Sequence, residues 1–275
     1  MSRTTTLGYS PCPNDTYIFH ALATGLVQWP GELHVTLVDV EELNGKASRG
    51  ELDVVKVSVA AAADILDEYV LLRAGGAMGF GVGPILVAGK ECALADLDGA
   101  TVAIPGRKTT ANLLFGLACR EAGISVKLKE MVFDEIMQAV EAGEVAAGVL
   151  IHEGRFTYQE QGLFRVLDLG AWWEEHTGQP IPLGAIAIKR ALGEDTARAM
   201  NEAIRASLTI ARDNPTIGAG YIKEHAQEMD DDVIKTHIKT FVTDYSMDVG
   251  EGGMAAVKRL LSEAGCTRND IFIAL

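Results

Sequence analysis

Short runs of β-branched and apolar residues alternate with segments of helical period along the first two thirds of the chain. The predicted strands are Thr4–Tyr9, Leu33–Asp39, Asp53–Val57, Val70–Arg73, Ile85–Ala88, Thr101–Ile104, Lys127–Val132, Ala147–Ile151, Arg165–Asp168 and Ala185–Ile188. The predicted helices between them are Thr16–Ala23, Val59–Leu66, Ala111–Ala122, Glu135–Ala142 and Glu194–Arg212. This alternation is typical of an α/β protein with an open parallel sheet.

The length of 275 residues favours two lobes, because one hydrophobic core rarely spans so long a chain. A strand, loop and helix beginning near Leu97 repeat the design of the opening segment. After Ile188 the sequence becomes helical, with further predicted helices at Val233–Tyr245 and Met254–Ala264. We therefore predict a discontinuous lobe one, residues 1–90 plus 189–275, and a lobe two, residues 91–188. This is the layout of the type II periplasmic-binding-protein-like fold, in which we expect a ligand cleft between the lobes.

The charge balance restricts the class of ligand. With 38 acidic against 24 basic residues, the net charge is -14, and no Lys/Arg cluster interrupts the sequence. Nucleic acid is excluded as a partner because phosphate binding needs a basic surface. A small anionic ligand must then be held by local donors, such as helix N-termini that follow strands.

The cysteines indicate a reducing compartment. Cys12, Cys92, Cys119 and Cys266 are widely spaced and form neither a CxxC pair nor a zinc-type array with histidines. The first ten residues lack the apolar core of a secretory signal, and no apolar run is long enough to span a membrane. We expect a cytoplasmic protein with free thiols, no metal and no membrane association.

A glycine-rich stretch, GGAMGFGVG at residues 75–83, precedes the strand-like sequence PILVAG. A dinucleotide-binding fingerprint would leave a strand and open a helix instead. The stretch therefore indicates a crossover or hinge and disfavours a nicotinamide or flavin cofactor.

Four polar segments follow predicted strands, where ligands bind in open α/β sheets. They are Ser10–Asp15, Lys56–Ser58, Gly106–Thr110 and His152–Glu153. In the first, two prolines fix φ and Asn14 or Asp15 can cap the next helix, so a rigid turn explains it as well as a ligand loop does. Ser58, Thr109 and Thr110 stand at predicted helix N-termini. A simple cap is their commoner role, but such ends can also bind a carboxylate.

His152 leaves the sheet directly after a predicted strand. A lone histidine is more often structural or merely exposed, but its position opposite three polar loops favours a general base. Side chains alternate along a strand, so Glu153 is expected to point away, toward a backbone group or Arg155. Trp172 and Trp173 either cover a core edge or line the cleft for an aromatic ligand. Serine-hydrolase, zinc-protease and Walker signatures are absent from the sequence.

The segments SPCPNDTYIFHAL, KVSVAA, GRKTTANLL and LIHEGRFTY, in this order, resemble the 1,4-dihydroxy-6-naphthoate synthases of the futalosine route to menaquinone. The resemblance covers most of the chain and implies a periplasmic-binding-protein-like fold. It further implies that His152 is the proton acceptor, and that Lys56, Val57, Ser58, Thr109 and Thr110 contact the substrate. We add Asn14, from the first polar loop, to the expected substrate contacts.

The resemblance implies that the substrate is cyclic de-hypoxanthinylfutalosine, a carboxylate. Deprotonation of a hydroxyl by His152 would start a retro-aldol-like fragmentation, and aromatisation would drive a carbon–carbon lyase reaction without cofactor or metal. We also expected the backbone N–H groups of Ser58 and Thr110 to hold the carboxylate. Two alternatives stay open: chorismate dehydratase of the same pathway, and a non-catalytic cytosolic binding protein for an aromatic carboxylate. The oligomeric state is left open too.

Overall fold

The computed structural model describes residues 4–226 and 230–274. The chain divides into two compact units. The first combines Met1–Gly79 with Pro182–Leu275, and the second is the continuous segment Phe80–Ile181. Within the described residues, no helix is both long and apolar enough to cross a membrane.

The first unit is built on a mixed sheet. Its strands are β1 (Thr4–Tyr9), β2 (Glu32–Leu37), β3 (Val54–Ser58), β4 (Tyr69–Leu71), β5 (Ala77–Gly79) and β11 (Ile181–Lys189). Their order is β2-β1-β3-β11-β4, and β5 pairs with β11. Strands β1, β2 and β3 run parallel, whereas β11 is antiparallel to β3 and β4.

Helices cover the first sheet. They are α1 (Pro13–Ala23), α2 (Val40–Ser48), α3 (Val59–Ala62), α8 (Glu194–Asp213), α9 (Ala219–His225), α10 (Asp231–Phe241), α11 (Asp244–Met247) and α12 (Gly250–Glu263). Helix α8 buries one apolar stripe, with Met200, Ile204 and Leu208 four residues apart and fully enclosed. This stripe shares a core with Ile18 and Phe19 of α1, which fixes the start of α1 beside the end of β1.

The second unit has its own mixed sheet. Its strands are β6 (Ile85–Ala88), β7 (Thr101–Ile104), β8 (Lys127–Glu130), β9 (Ala147–Leu150) and β10 (Phe164–Asp168), in the order β10-β6-β9-β7-β8. Its helices are α4 (Thr110–Ala122), α5 (Ile136–Glu141), α6 (Gly154–Thr157) and α7 (Leu169–Thr177). Strand β7 is parallel to β8 and β9, whereas β6 is antiparallel to β9 and β10.

Glycine permits two close approaches in the second unit. A Cβ placed on Gly83 would lie 2.2 Å from the Cα of Gly170, so two backbones meet there with no room for a side chain. A Cβ on Gly148 of β9 would lie 2.4 Å from a side-chain carbon of Ile136, which lets α5 pack directly on the sheet. Ile136, Val140 and Leu150 belong to the core that this contact closes.

The α/β class is confirmed, but three expectations were wrong in detail. The sheets are mixed rather than parallel because β6 and β11 enter antiparallel, and strand β5 was not predicted. Strand β6, predicted to lie in lobe one, hydrogen-bonds within the second sheet, and Ala185–Ile188, predicted to lie in lobe two, belongs to β11 of the first sheet. The helix predicted over Val59–Leu66 ends at Ala62. Helices not predicted are α2, α6, α7 and α9.

Candidate functional site

The first polar cluster lies at the carboxyl ends of β1 and β3. These strands are parallel neighbours, with Leu7 paired to Val54 and Gly8 to Val55, so the segments that follow them meet at one edge of the sheet. There the Nζ of Lys56 lies 2.6 Å from Oδ1 of Asp15. The two side chains are 5% and 3% exposed, which makes this a buried ion pair.

Further hydrogen bonds compensate both buried charges. Oδ2 of Asp15 accepts from the hydroxyl of Ser10 at 2.8 Å and from its backbone N–H at 3.3 Å. Lys56 also donates to the carbonyl of Gly75 at 3.1 Å. Such hydrogen bonds offset part of the cost of burying the two charges. Breaking it from one side leaves a charge without compensation.

Asn14 connects this pair to α10. Its Nδ2 donates to Oδ1 of Asp15 at 2.8 Å, and its Oδ1 lies 3.1 Å from Nε2 of His237, which is 1% exposed. The expected capping role of Asn14 or Asp15 was wrong: α1 begins at Pro13, with Cys12 at the N-cap position and no side-chain capping bond. His237 follows no predicted strand, and its contact with Asn14 spans 223 residues, so no local sequence signal indicates it.

Ser58 is at the N-cap position of α3, but it does not cap the helix with its side chain. Its backbone N–H donates to Oδ1 of Asn44 at 2.9 Å, and its hydroxyl accepts from Nδ2 of Asn44 at 3.2 Å. The expectation that the Ser58 N–H holds a carboxylate is therefore wrong, because Asn44 already occupies it. Val57 is fully buried within β3.

The second polar cluster lies at the carboxyl ends of β7 and β9. These parallel neighbours pair Val102 with Ala147 and Ala103 with Gly148, so Thr109, Thr110 and His152 all follow the same edge of one sheet. Thr109 caps α4: its Oγ1 accepts from the N–H of Asn112 at 3.2 Å and donates to the carbonyl of Gly106 at 2.8 Å. Thr109 and Thr110 are each 3% exposed.

His152 has an unusual backbone. Its φ is 54°, the only positive value at a non-glycine residue within 4–226 and 230–274. Such a conformation costs about 1–2 kcal/mol for a residue with a Cβ. The imidazole is partly exposed, and its ring centroid lies 4.8 Å from that of Phe133 in an edge contact. The strained backbone directs the side chain as the chain leaves β9, a combination typical of functional positions.

Three other residues considered in the sequence analysis, Arg155, Trp172 and Trp173, have partners within the protein. Arg155 donates to Asp168 at 3.1 Å and to the carbonyl of Gly83. Trp173 is 2% exposed and donates to the carbonyl of Pro180 at 3.3 Å, so it belongs to the core. Trp172, half-buried, donates to Glu121 at 2.9 Å. Neither tryptophan is thereby assigned to a ligand.

The thiols agree with a reduced protein. The four cysteines are free, and burial raises the pKa of Cys119 to about 11. In the described part of the chain, no three His, Cys, Asp or Glu side chains are grouped to hold a metal ion.

The fold and the two strand-end clusters define a class: an α/β protein of the type II periplasmic-binding-protein kind. A ligand-binding component of an ABC-type import system from Staphylococcus aureus has a TM-score of 0.71 and 13% identity, covering 99% of this chain and 96% of that one. The aliphatic sulphonate binding protein of Escherichia coli has a TM-score of 0.66 and 12% identity, over 95% and 86%. At such identities these similarities show the fold alone.

More similar proteins define the family. The profile of a family described as "Menaquinone biosynthesis" matches residues 5–265, and the chain belongs to that family. Proteins named 1,4-dihydroxy-6-naphthoate synthase are 50% identical in Thermus thermophilus (94% of this chain and 93% of that one) and 47% identical in Streptomyces coelicolor (94% and 92%). A solved structure from Archaeoglobus fulgidus has a TM-score of 0.89 and 38% identity, over 95% and 97%.

Proposed function

We propose that this protein is a 1,4-dihydroxy-6-naphthoate synthase that converts cyclic de-hypoxanthinylfutalosine to 1,4-dihydroxy-6-naphthoate in the cytoplasm. The two synthases of the same name match it over nearly the full length. The structural observation that supports the proposal most is His152, which follows β9 with a left-handed backbone at the sheet edge where β7, the strand before α4, also ends.

In the proposed reaction, His152 acts as the general base. A neutral imidazole removes a proton from a substrate hydroxyl, and that oxygen becomes a carbonyl as the adjacent carbon–carbon bond breaks. The electron pair of the broken bond remains on the ring fragment, and a small sugar-derived carbonyl compound leaves. Aromatisation of the remaining rings drives the reaction, so the enzyme is a lyase that needs neither metal nor redox cofactor.

The proposed substrate contacts are Lys56, Val57, Ser58, Thr109, Thr110 and Asn14. Their arrangement supports different roles for the two strand-end clusters. Since Asn44 occupies the N–H of Ser58, we assign the substrate carboxylate to the start of α4, where Thr110 and the helix dipole favour an anion. The hydroxyl of Ser58 and the ammonium of Lys56 then bind other oxygen atoms of the substrate.

The decisive experiment is incubation of the purified protein with cyclic de-hypoxanthinylfutalosine and, separately, with chorismate. The proposal expects the naphthoate, identified by absorbance and mass, from the futalosine derivative alone. Dehydration of chorismate would replace the proposal with the dehydratase of the same pathway. Binding of both carboxylates without turnover would indicate a non-catalytic binding protein.

A further inference from the structure

We propose that Asp15 and Gly184 are positioning residues, which act on the substrate through Lys56. Asp15 holds the Lys56 ammonium from one side, and Gly184 leaves the space in which the lysine stem lies. The inference rests on the proposed function, since it assumes that Lys56 contacts the substrate.

The first observation is the hydrogen bonding of Lys56. A lysine ammonium has three N–H donors. One is bonded to Asp15 and one to the carbonyl of Gly75, and in the described residues no protein acceptor is found for the third. A side chain 5% exposed, with two donors fixed, holds its third donor in one direction. That donor suits an oxygen atom of a bound substrate.

The second observation is the setting of Asp15. Its carboxylate accepts from Lys56, from Asn14 and from both the hydroxyl and the backbone of Ser10. Four donors occupy both oxygens and hold the carboxylate in one position. Such a group is a rigid anchor for an ammonium, and its oxygen atoms are already bonded within the protein. The structure therefore favours a positioning role for Asp15 over a second base.

The third observation is the space at Gly184. This residue of β11 lies opposite Ser58 of β3, and its φ is not among the positive values, so the backbone does not require glycine. A Cβ there would lie 2.7 Å from Cε of Lys56, closer than real contacts allow. The lysine stem would have to move, and the Nζ with it. Glycine at position 184 thus keeps the Lys56 ammonium within hydrogen-bonding distance of Asp15.

The test is a double-variant cycle on KM and kcat. Lys56→Met should raise KM by about 10- to 100-fold, the effect of one hydrogen bond to a charged group, with a smaller change in kcat. Asp15→Asn should raise KM by about tenfold alone but by less than about twofold when added to Lys56→Met, because its effect passes through the lysine. Equal effects in both backgrounds would overturn the proposal. A fall in kcat of about 100-fold or more in Asp15→Asn, with KM unchanged, would instead make Asp15 a base.

Gly184→Ala provides an independent arm that keeps both charges, in case Asp15→Asn does not fold. The displaced atom is the end of a flexible side chain, so the variant should fold, and KM should rise by about tenfold or more. Gly252→Ala is the matched control, since nothing lies within 4 Å of a Cβ at that helical position. An unchanged KM in Gly184→Ala would contradict the inference. Inactive wild-type protein would contradict the proposed function itself, whereas active protein with additive effects would contradict only the positioning roles.

Discussion

The left-handed backbone of His152 is energetically unfavourable for a residue with a Cβ. Residues with a Cβ avoid positive φ values, and a short turn after a strand ordinarily has glycine or asparagine at such a position. In this fold His152 follows β9 at the sheet edge where β7, the strand before the capped helix α4, also ends. Under the proposed reaction, the conformational cost is explained by the position that it gives to the base.

Replacing His152 with asparagine tests that base. Asparagine resembles imidazole in shape and hydrogen bonding but accepts no proton near neutral pH. We expect His152→Asn to fold and bind substrate while turnover falls by about 100- to 10,000-fold.

The measurements are single-turnover rates and substrate affinity. A variant that retains more than about a tenth of wild-type turnover would show that another group takes the proton, because this loss is below the smallest one expected for a general base. Glu153 and Asp15 would then be the next residues to test.

The strain at position 152 predicts a stability difference between two other variants. His152→Gly relieves the positive φ, whereas His152→Ala keeps a Cβ in it. We expect the glycine variant to be more stable than the alanine variant by about 1 kcal/mol, although glycine is the less stable residue at ordinary positions. Urea unfolding of the pair measures the difference, and an alanine variant of equal or greater stability would contradict it.

At the scale of elements, the N-terminus of α4 has both a structural and a proposed chemical role. Thr109→Ala removes the hydroxyl that accepts from Asn112, so the free energy of unfolding should fall by about 1 kcal/mol. If α4 also binds the carboxylate, KM should rise by several-fold or more, because the first turn frays. Thermal unfolding and steady-state kinetics separate the two effects.

Asp39→Ala is the control for that variant. Asp39 caps α2 by accepting from the N–H of Glu41 at 2.8 Å, beyond β2 at the outer edge of the first sheet. The Asp39→Ala variant should lose about as much stability as Thr109→Ala, but its KM should not change. Equal KM values for the two variants would place the carboxylate away from α4.

Elements also show what the sequence can predict. Strands β1, β6 and β7 were predicted to the residue because β-branched runs end sharply at proline, glycine or polar residues. The strand-end rule then selected the segments that contain Asp15, Lys56 and His152. The partners of these residues were not predictable. Asn44, which hydrogen-bonds Ser58, lies on α2, a helix whose sequence has no strong apolar period. Strand β11 enters between β3 and β4 only through long-range pairing.

At the scale of the whole molecule, buried neutral acids predict a loss of stability in alkali. Burial raises the pKa of Tyr69 to about 12 and that of Cys119 to about 11, and it also raises the pKa values of Tyr9 and Tyr221. Unfolded Cys and Tyr ionise near 8.5 and 10, before the folded groups do. The stability is therefore complete below these unfolded values and is lost as the pH rises toward the folded ones.

We expect the free energy of unfolding to fall by about 2 kcal/mol or more between pH 8 and pH 11. Urea midpoints at intervals across this range measure the fall. Cys119→Ala removes one of the titrating groups and should flatten the lower part of the curve. A variant with the same pH dependence as the wild type would show that the Cys119 thiol does not contribute.

The insertion of the second unit between two parts of the first has a consequence for synthesis on the ribosome. The sheet of the second unit is complete once Asp168 has left the exit tunnel, whereas β4 cannot join β3 until β11, ending at Lys189, lies between them. The first segment of the chain thus waits for a strand that is made only after the whole second unit, since domains fold as their chain emerges. In a nascent chain, the inserted unit becomes resistant to protease while the surrounding one is still an open, aggregation-prone half-sheet.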